Sequence, residues 1–206
     1  MEKKNKLLIP PRLTARASRG FLFYMKNKER VIVCIDGSNL YFRLKKLLIP
    51  HTSQFNFRGL AEYLTQGKTL TEINYYVGVV QLKGNNDKAY IIQQGQLTLF
   101  NTLIEQNIKI IKGFLMKSNG VYHEKGVDVN IAVDLLVGAY ENHFDTAVLL
   151  SSDTDLIPAI QKIKSLGKKL QYVGFKPTPS IALINHCTFF KILEPQEVSN
   201  FTKKHA

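Results

Sequence analysis

The chain has 206 residues, 45% hydrophobic and 21% charged, which suits one sizeable core and excludes a wholly disordered protein. Only two cysteines are present, Cys34 and Cys187, which excludes a disulfide scaffold and a four-cysteine zinc site. No apolar run approaches the ~20 residues of a membrane span, and a net charge of +12 favours a polyanionic partner such as nucleic acid.

The basic excess is uneven. Residues 1–29 carry eight basic and two acidic side chains, and residues 30–206 carry 20 and 14, so each part contributes +6. The first segment holds Pro10-Pro11 and scattered Arg and Lys without helical or strand period. Its apolar pieces are too short for a signal peptide, while Arg12, Arg16 and Arg19 faintly resemble an organelle transit peptide. Met25 opens a basic stretch that runs into the first strand and is an alternative start. The expected organisation is a basic flexible tail or translation extension over 1–29, an α/β domain over 30–193 and a C-terminal tail over 194–206. Cysteine usage makes a reducing compartment the default, and the cytoplasm is the expected location.

From residue 30 the pattern alternates. Residues 31–35 form a β-branched run typical of a strand buried on both faces. Ser38 can cap a helix over 40–48, which Pro50 follows. Residues 57–65 read as a helix ending at Gly67, 73–80 as a strand, and 88–106 as a long helix. Residues 108–114 read as a strand, followed by the turn signal Ser118-Asn119-Gly120. Residues 127–141 read as a helix with Val127, Ile131, Leu135 and Ala139 on one face. The remaining expectations are strands over 147–150 and 170–173, helices over 156–166 and 180–186, and a short strand over 189–193. Strands alternating with helices predict βαβ units and a mostly parallel sheet.

Ligands of such a sheet bind outside the carboxyl ends of its strands. The first strand is followed by Asp36-Gly37-Ser38-Asn39, and the strand over 147–150 by Ser151-Ser152-Asp153-Thr154-Asp155. Two strands therefore deliver carboxylates to one rim, and Asp128 starts a helix that could add a third. Asp134, six residues on, lies about 120° round that helix and faces the rim less directly. Each acid also has a plain structural role: turn closure for Asp36, helix capping for Asp153 or Asp155, a dipole-favoured first turn for Asp128. Together they predict a shared cation, because converging carboxylates must protonate or share one. Hard oxygen ligands suit Mg²⁺ or Mn²⁺, which can polarise a phosphodiester and activate water. Ser38 and Asn39 are candidate substrate contacts; equally, Asn39 could orient Asp36 or satisfy the first helical turn. Lys45, Lys46, Lys83, Lys88, Lys125 and Lys176 are candidates for a phosphate track. Tyr41, Phe42, Tyr90 and Tyr122 are candidates for stacking on bases, although such lysines are usually solvated and such aromatics usually core.

The segments VIVCIDGSNLYFRLKKL (31–47), KGVDVNIAVDLL (125–136) and TAVLLSSDTDLIPAIQKIKSLGKKLQYVGF (146–175) resemble the NYN domain, LabA-like branch, of the PIN-like nuclease superfamily. The resemblance spans about residues 30–193. It implies a three-layer α/β/α sandwich and a metal-dependent ribonuclease that leaves a 5′-phosphate. Carried over by motif, Asp36, Asp128, Asp153 and Asp155 are the implied catalytic acids and ligands of Mg²⁺ or Mn²⁺, with Asp155 a ligand or a supporting group. Asn39 matches the Asn of the family's DGSN, and Asp134 matches the acid of the helix. Ser152 and Thr154 stand where the family often has Gly and Ser, and both leave the acids intact.

Other signals fail. Gly67-Lys68-Thr69 lacks the earlier glycine of a P-loop, because Glu62 is there. A haloacid-dehalogenase site needs an Asp two residues after Asp36, where Ser38 stands. The five histidines show no zinc spacing, and Cys34 fits a buried small hydrophobe. The expected function is a metal-dependent endoribonuclease acting on single-stranded RNA, without a membrane partner and with a homodimer left open. The alternatives are a non-catalytic RNA-binding or regulatory module and a DNA-directed nuclease of the same superfamily.

Overall fold

The computed structural model describes residues 28–49, 54–80, 87–119 and 121–202. In chain order the elements are β1 (Arg30–Asp36), α1 (Gly37–Lys46), α2 (Phe57–Thr65), β2 (Thr69–Val80), α3 (Asp87–Glu105), β3 (Lys109–Ser118) and β4 (Val121–Lys125). There follow α4 (Val127–Tyr140), β5 (Thr146–Leu150), a 3-10 turn (Thr154–Leu156), α5 (Ile157–Ser165), β6 (Lys169–Phe175), α6 (Ile181–His186), β7 (Phe189–Leu193) and α7 (Pro195–Ser199).

The strands form one seven-stranded sheet in the order β4-β3-β2-β1-β5-β6-β7. Every pairing is parallel except that of β3 with β4. β1 is buried along nearly its whole length because both of its faces are covered. Val31, Val33 and Ile35 point to one face, where they meet Leu40 and Leu44 of α1, Phe57, Leu60 and Leu64 of α2, Leu103 of α3 and Val198 of α7. Ile32 and Cys34 point to the other, where they meet Val127, Ile131 and Leu135 of α4, Ile160 and Ile163 of α5 and Leu183 of α6. The result is the expected three-layer α/β/α sandwich with a mostly parallel central sheet. Among the described residues, no helix is long and apolar enough to cross a membrane.

Two elements escape the sequence pattern. β4 pairs antiparallel with β3 through a two-residue connection in which Asn119 has φ +49°, a backbone that Asn tolerates well. The strand Val121–Lys125 alternates exposed and half-buried residues at the edge of the sheet, so it carries no apolar run to announce it. The other is α7, closed by a capping box between Glu194 and Glu197. It buries Val198, and Thr202 bridges to Phe55, so the segment from 194 is packed against the domain as far as 202. Of the proposed N-terminal tail, residues 1–27 lie outside the described residues. Glu29 is held by Thr146, Lys68 and Lys169.

The sheet order fixes where a site can form. From β1 the chain moves to β2 on one side, and later returns to β5 on the other. The helices after β1 and β5 lie on opposite faces, which opens a crevice at the carboxyl ends of these two neighbours.

Candidate metal centre and nucleic-acid interface

β1 ends in Asp36, which is only 5% exposed. Its Oδ1 accepts the backbone N–H of Asn39 at 2.9 Å, so it caps α1. Its Oδ2 accepts the hydroxyl of Ser151 at 2.8 Å. Ser151 immediately follows β5 and also accepts the backbone N–H of Asp153 at 3.1 Å. Asp153 in turn accepts the backbone N–H of Asp155 at 2.8 Å and caps the 3-10 turn. One continuous chain of hydrogen bonds thus ties the ends of β1 and β5 together. Capping and site placement are the same geometry here.

Asp128 stands in the first turn of α4, behind Gly126, whose φ of +81° turns the chain from β4 into the helix. It is half-buried. Burial raises its pKa, and the carboxylates of Asp153, Glu124 and Asp155 raise it further. Burial likewise pushes Asp36 up to about 6, against the bonds from Asn39 and Ser151, with Glu124 and Asp128 adding to the rise. Asp36, Asp128, Asp153 and Asp155 are therefore brought to one rim. The sequence reading missed a fifth acid, Glu124. Its Oε2 accepts the Ser38 hydroxyl at 2.9 Å and the Gly78 backbone N–H at 2.6 Å. The Asn-Gly turn after β3 was the signal that could have revealed its strand.

Asp134 stands apart. Its carboxylate accepts the Tyr76 hydroxyl at 3.1 Å and acts on buried Cys34 and on Lys109, at mid-sheet. Cys34 is fully buried and its thiol is pushed up to about 12, which fits its reading as a small hydrophobe.

The charge pattern separates the two ends of the sheet. At the amino ends, acids are matched: Asp145 with Arg30, Glu72 with Lys109, and Glu29 with Lys68 and Lys169. The Arg30 guanidinium holds Asp145 down at about 2. A cleft of about 460 Å³ at that end is lined by Arg58, Glu72 and Lys109 and contains none of the rim acids. At the carboxyl ends, Asp36, Glu124, Asp128, Asp153 and Asp155 form no ion pair among the described residues. One cation does approach them. Arg43, on α1 one turn beyond Asn39, donates to the hydroxyls of Thr178 at 2.6 Å and Ser152 at 3.3 Å. It has no carboxylate partner among the described residues.

The donor set suits a hard divalent cation in kind: carboxylate oxygens, crowded enough to raise one another's pKa. Among the described residues, no three His, Cys, Asp or Glu side chains are gathered closely enough to hold an ion by themselves. Mg²⁺ does not need that many, because it keeps several waters and takes one or two carboxylates plus substrate oxygens. The residues fit a water-rich site, not an all-protein cage.

Of the remaining candidates, Lys45, Lys46 and Lys125 are exposed, and Lys176 pairs with Glu194. Lys83 and the side chain of Lys88 lie outside the described residues. Tyr41, Phe42 and Tyr90 are exposed, and Lys117 lies over the ring of Tyr122.

A doubly covered parallel sheet with unmatched acids at its switch point defines an α/β protein whose site lies at the carboxyl ends of β1 and β5. The chain matches the NYN domain over residues 30–194 and belongs to that family. NYN domains lie within the PIN-like nuclease superfamily, whose members generally use a divalent metal, so the family suggests nuclease activity. The chain is 41% identical over 59 residues to the uncharacterized protein MJ0482 of Methanocaldococcus jannaschii, a match covering 29% of this chain and 25% of that protein. It also resembles the crystal structure of a protein of unknown function, VPA0982, from Vibrio parahaemolyticus. There the TM-score is 0.60 and the identity 20%, over 81% of this chain and 93% of that one, a likeness of fold.

Proposed function

We propose that the chain is a Mg²⁺- or Mn²⁺-dependent endoribonuclease of the LabA-like branch, acting on single-stranded RNA. The observation that carries this reading is the set of five rim acids with no ion pair among the described residues, while the acids at the opposite end of the sheet are matched. A divalent ion bound there would supply Lewis-acid polarisation of the phosphodiester and a more acidic water. Asp36, Asp128 and Asp153 would hold it, one or two of them directly and the rest through its waters, with Asp155 and Glu124 beside them.

The chain's own residues have distinct tasks. Ser151 fixes the rotamer of Asp36 through its hydroxyl and the start of the Asp153 turn through its oxygen. Asn39 caps onto Asp36 through its backbone and stands at the rim for a substrate phosphate. Arg43, held by two neutral hydroxyls, keeps its charge available for a phosphate next to the scissile one.

The absence of three gathered carboxylates among the described residues favours a second reading, an RNA-binding module without turnover. The two are separated by end-labelled single-stranded RNA and DNA incubated with Mg²⁺, Mn²⁺ or EDTA. Metal-dependent cleavage of RNA, abolished in Asp153→Asn and given a several-fold higher KM in Arg43→Ala, is the expected result. Binding without cleavage under every metal condition establishes the second reading. Preferential cleavage of DNA reassigns the substrate.

A further inference from the structure

Beside the acids lies a cleft that the hydrolytic reading leaves without a task. It measures about 480 Å³ and opens between α1, the carboxyl ends of β2 and β3, and α3, a size ordinary for a small-ligand site. Its apolar wall includes Tyr41, Phe42, Ile91 and Leu115. One margin is formed by Ser38 and Glu124, the hydrogen-bonded pair already placed at the rim. The cleft and the acid site therefore share an edge.

Among the described residues, two features leave this space open. Tyr41, Phe42 and Ile91 are 45%, 59% and 69% exposed, an apolar surface that no described element covers. The rings of Tyr41 and Phe42 brace each other edge to face, with centroids 5.5 Å apart and planes at 70°. On the opposite wall, the 19-residue helix α3 carries Gly95 near its middle. A glycine there weakens a helix relative to alanine. Packing does not require it, since a Cβ at Gly95 would meet nothing within 4 Å. Gly95 instead leaves the cleft unfilled.

We propose that the cleft seats one unpaired nucleobase of the strand whose phosphodiester lies at the acid rim; the proposal rests on the nucleic-acid reading above. A base has apolar faces and a polar edge. The cleft offers aromatic and aliphatic walls and a polar margin on the side of the acids, the arrangement by which single strands are held on stacking platforms. Glu124 is engaged through Oε2 and, among the described residues, accepts nothing at Oε1. That oxygen favours a base with an exocyclic amino group over uracil. Gln96 bonds Gly78 and Val80 through its amide and so braces α3 to β2. A paired base cannot enter, so the cleft selects unpaired strands and sets the distance from base to cut.

The test uses the full chain with a single-stranded RNA oligomer, followed by binding and by cleavage with Mn²⁺. The same oligomer is prepared with an abasic spacer at each position in turn. One spacer position is expected to weaken binding and cleavage about ten-fold, the scale of one lost base stack. Gly95→Leu starts its side chain in open space, since a Cβ there meets nothing within 4 Å, and raises helix propensity, so its Tm should match or exceed that of the wild type. It should lose about ten-fold in binding and lose the spacer effect. Phe42→Ala should do the same if Gly95→Leu fails to fold. Cleavage by the wild type with no sensitive position, and by both variants at the wild-type rate, overturns the base cleft and leaves the nuclease reading intact. Positional sensitivity in binding without cleavage supports the cleft and removes the nuclease reading. Absence of RNA binding overturns both, and a gain in affinity for an apolar peptide instead would mark the cleft as a peptide groove.

Discussion

Asp36 is a buried carboxyl group with no ion pair among the described residues, and its cost can be measured. Burial raises it to about 6 in the folded chain, while an unfolded Asp titrates near 3.9. Between about pH 4 and pH 6 the folded chain retains a proton that the unfolded chain has lost. Folding therefore takes up a proton in that window, and stability falls as pH rises through it, by up to about 3 kcal/mol. Asp36→Asn keeps an acceptor for Asn39 N–H and presents an amide to the Ser151 hydroxyl. The variant should be more stable than the wild type at pH 7 by about 1–3 kcal/mol, with a smaller fall in stability between pH 4 and 6 because only Asp128 of the two raised acids remains, and inactive as a nuclease. Denaturant melts at pH 4, 5, 6 and 7 measure it. An unchanged slope between those pH values in the variant would show that the buried carboxyl is not the titrating group. The four motif acids were legible in the sequence because they follow strand ends or open a helix. Ser151, which joins two of them, was not singled out, since a lone serine beside a strand has no signature of its own.

At the scale of elements, glycines decide how closely the site's parts approach. A Cβ on Gly37 would lie 2.4 Å from the Tyr75 ring and 2.7 Å from the Tyr76 carbonyl oxygen. Neither can yield without moving β2 or α1. Gly37→Ala should cost on the order of 2–3 kcal/mol, the range of an overpacked core site. A Cβ on Gly78 would meet Cγ and Oε2 of Glu124 at 2.8 Å and Leu115 Cδ2 at 3.1 Å. These atoms belong to flexible side chains on β3 and β4 rather than to backbone, so they can swing aside. Gly78→Ala should change stability by less than about 1 kcal/mol yet lower cleavage several-fold, because Glu124 leaves the rim. Paired thermal melts and cleavage rates for the two variants check the contrast, and equal loss of activity at equal loss of Tm would refute it. The fold's main strands were readable from β-branched runs, and its helices from their apolar face. The strand bearing Glu124 was not, because an edge strand half open to water needs no apolar run. Missing β4 meant missing Glu124.

For the whole molecule, charge is the property that acts at a distance. The fold gathers five acids at the carboxyl rim, yet the chain as a whole is +12. A polyanion must therefore be drawn in by basic groups elsewhere and then meet negative carboxylates, a contact that Arg43 and a bound cation would relieve. Half of the excess lies in residues 1–29 by sequence. A chain begun at Met25 keeps 22 basic and 15 acidic side chains, a net charge of +7. Each phosphate contact made by a Lys or Arg steepens the fall of log K with log salt by about 0.7 for a single strand. If the segment before Met25 touches RNA, the shortened chain should bind more weakly at low salt, with a shallower salt dependence. Its affinity should approach that of the full chain as salt rises. Its cleavage positions should not change, because the acids and the cleft lie after Met25. Binding isotherms from about 50 to 300 mM salt for the two chains distinguish the cases. Equal slopes would place every phosphate contact after Met25, and a changed cleavage position would show that the segment guides the strand as well as attracting it.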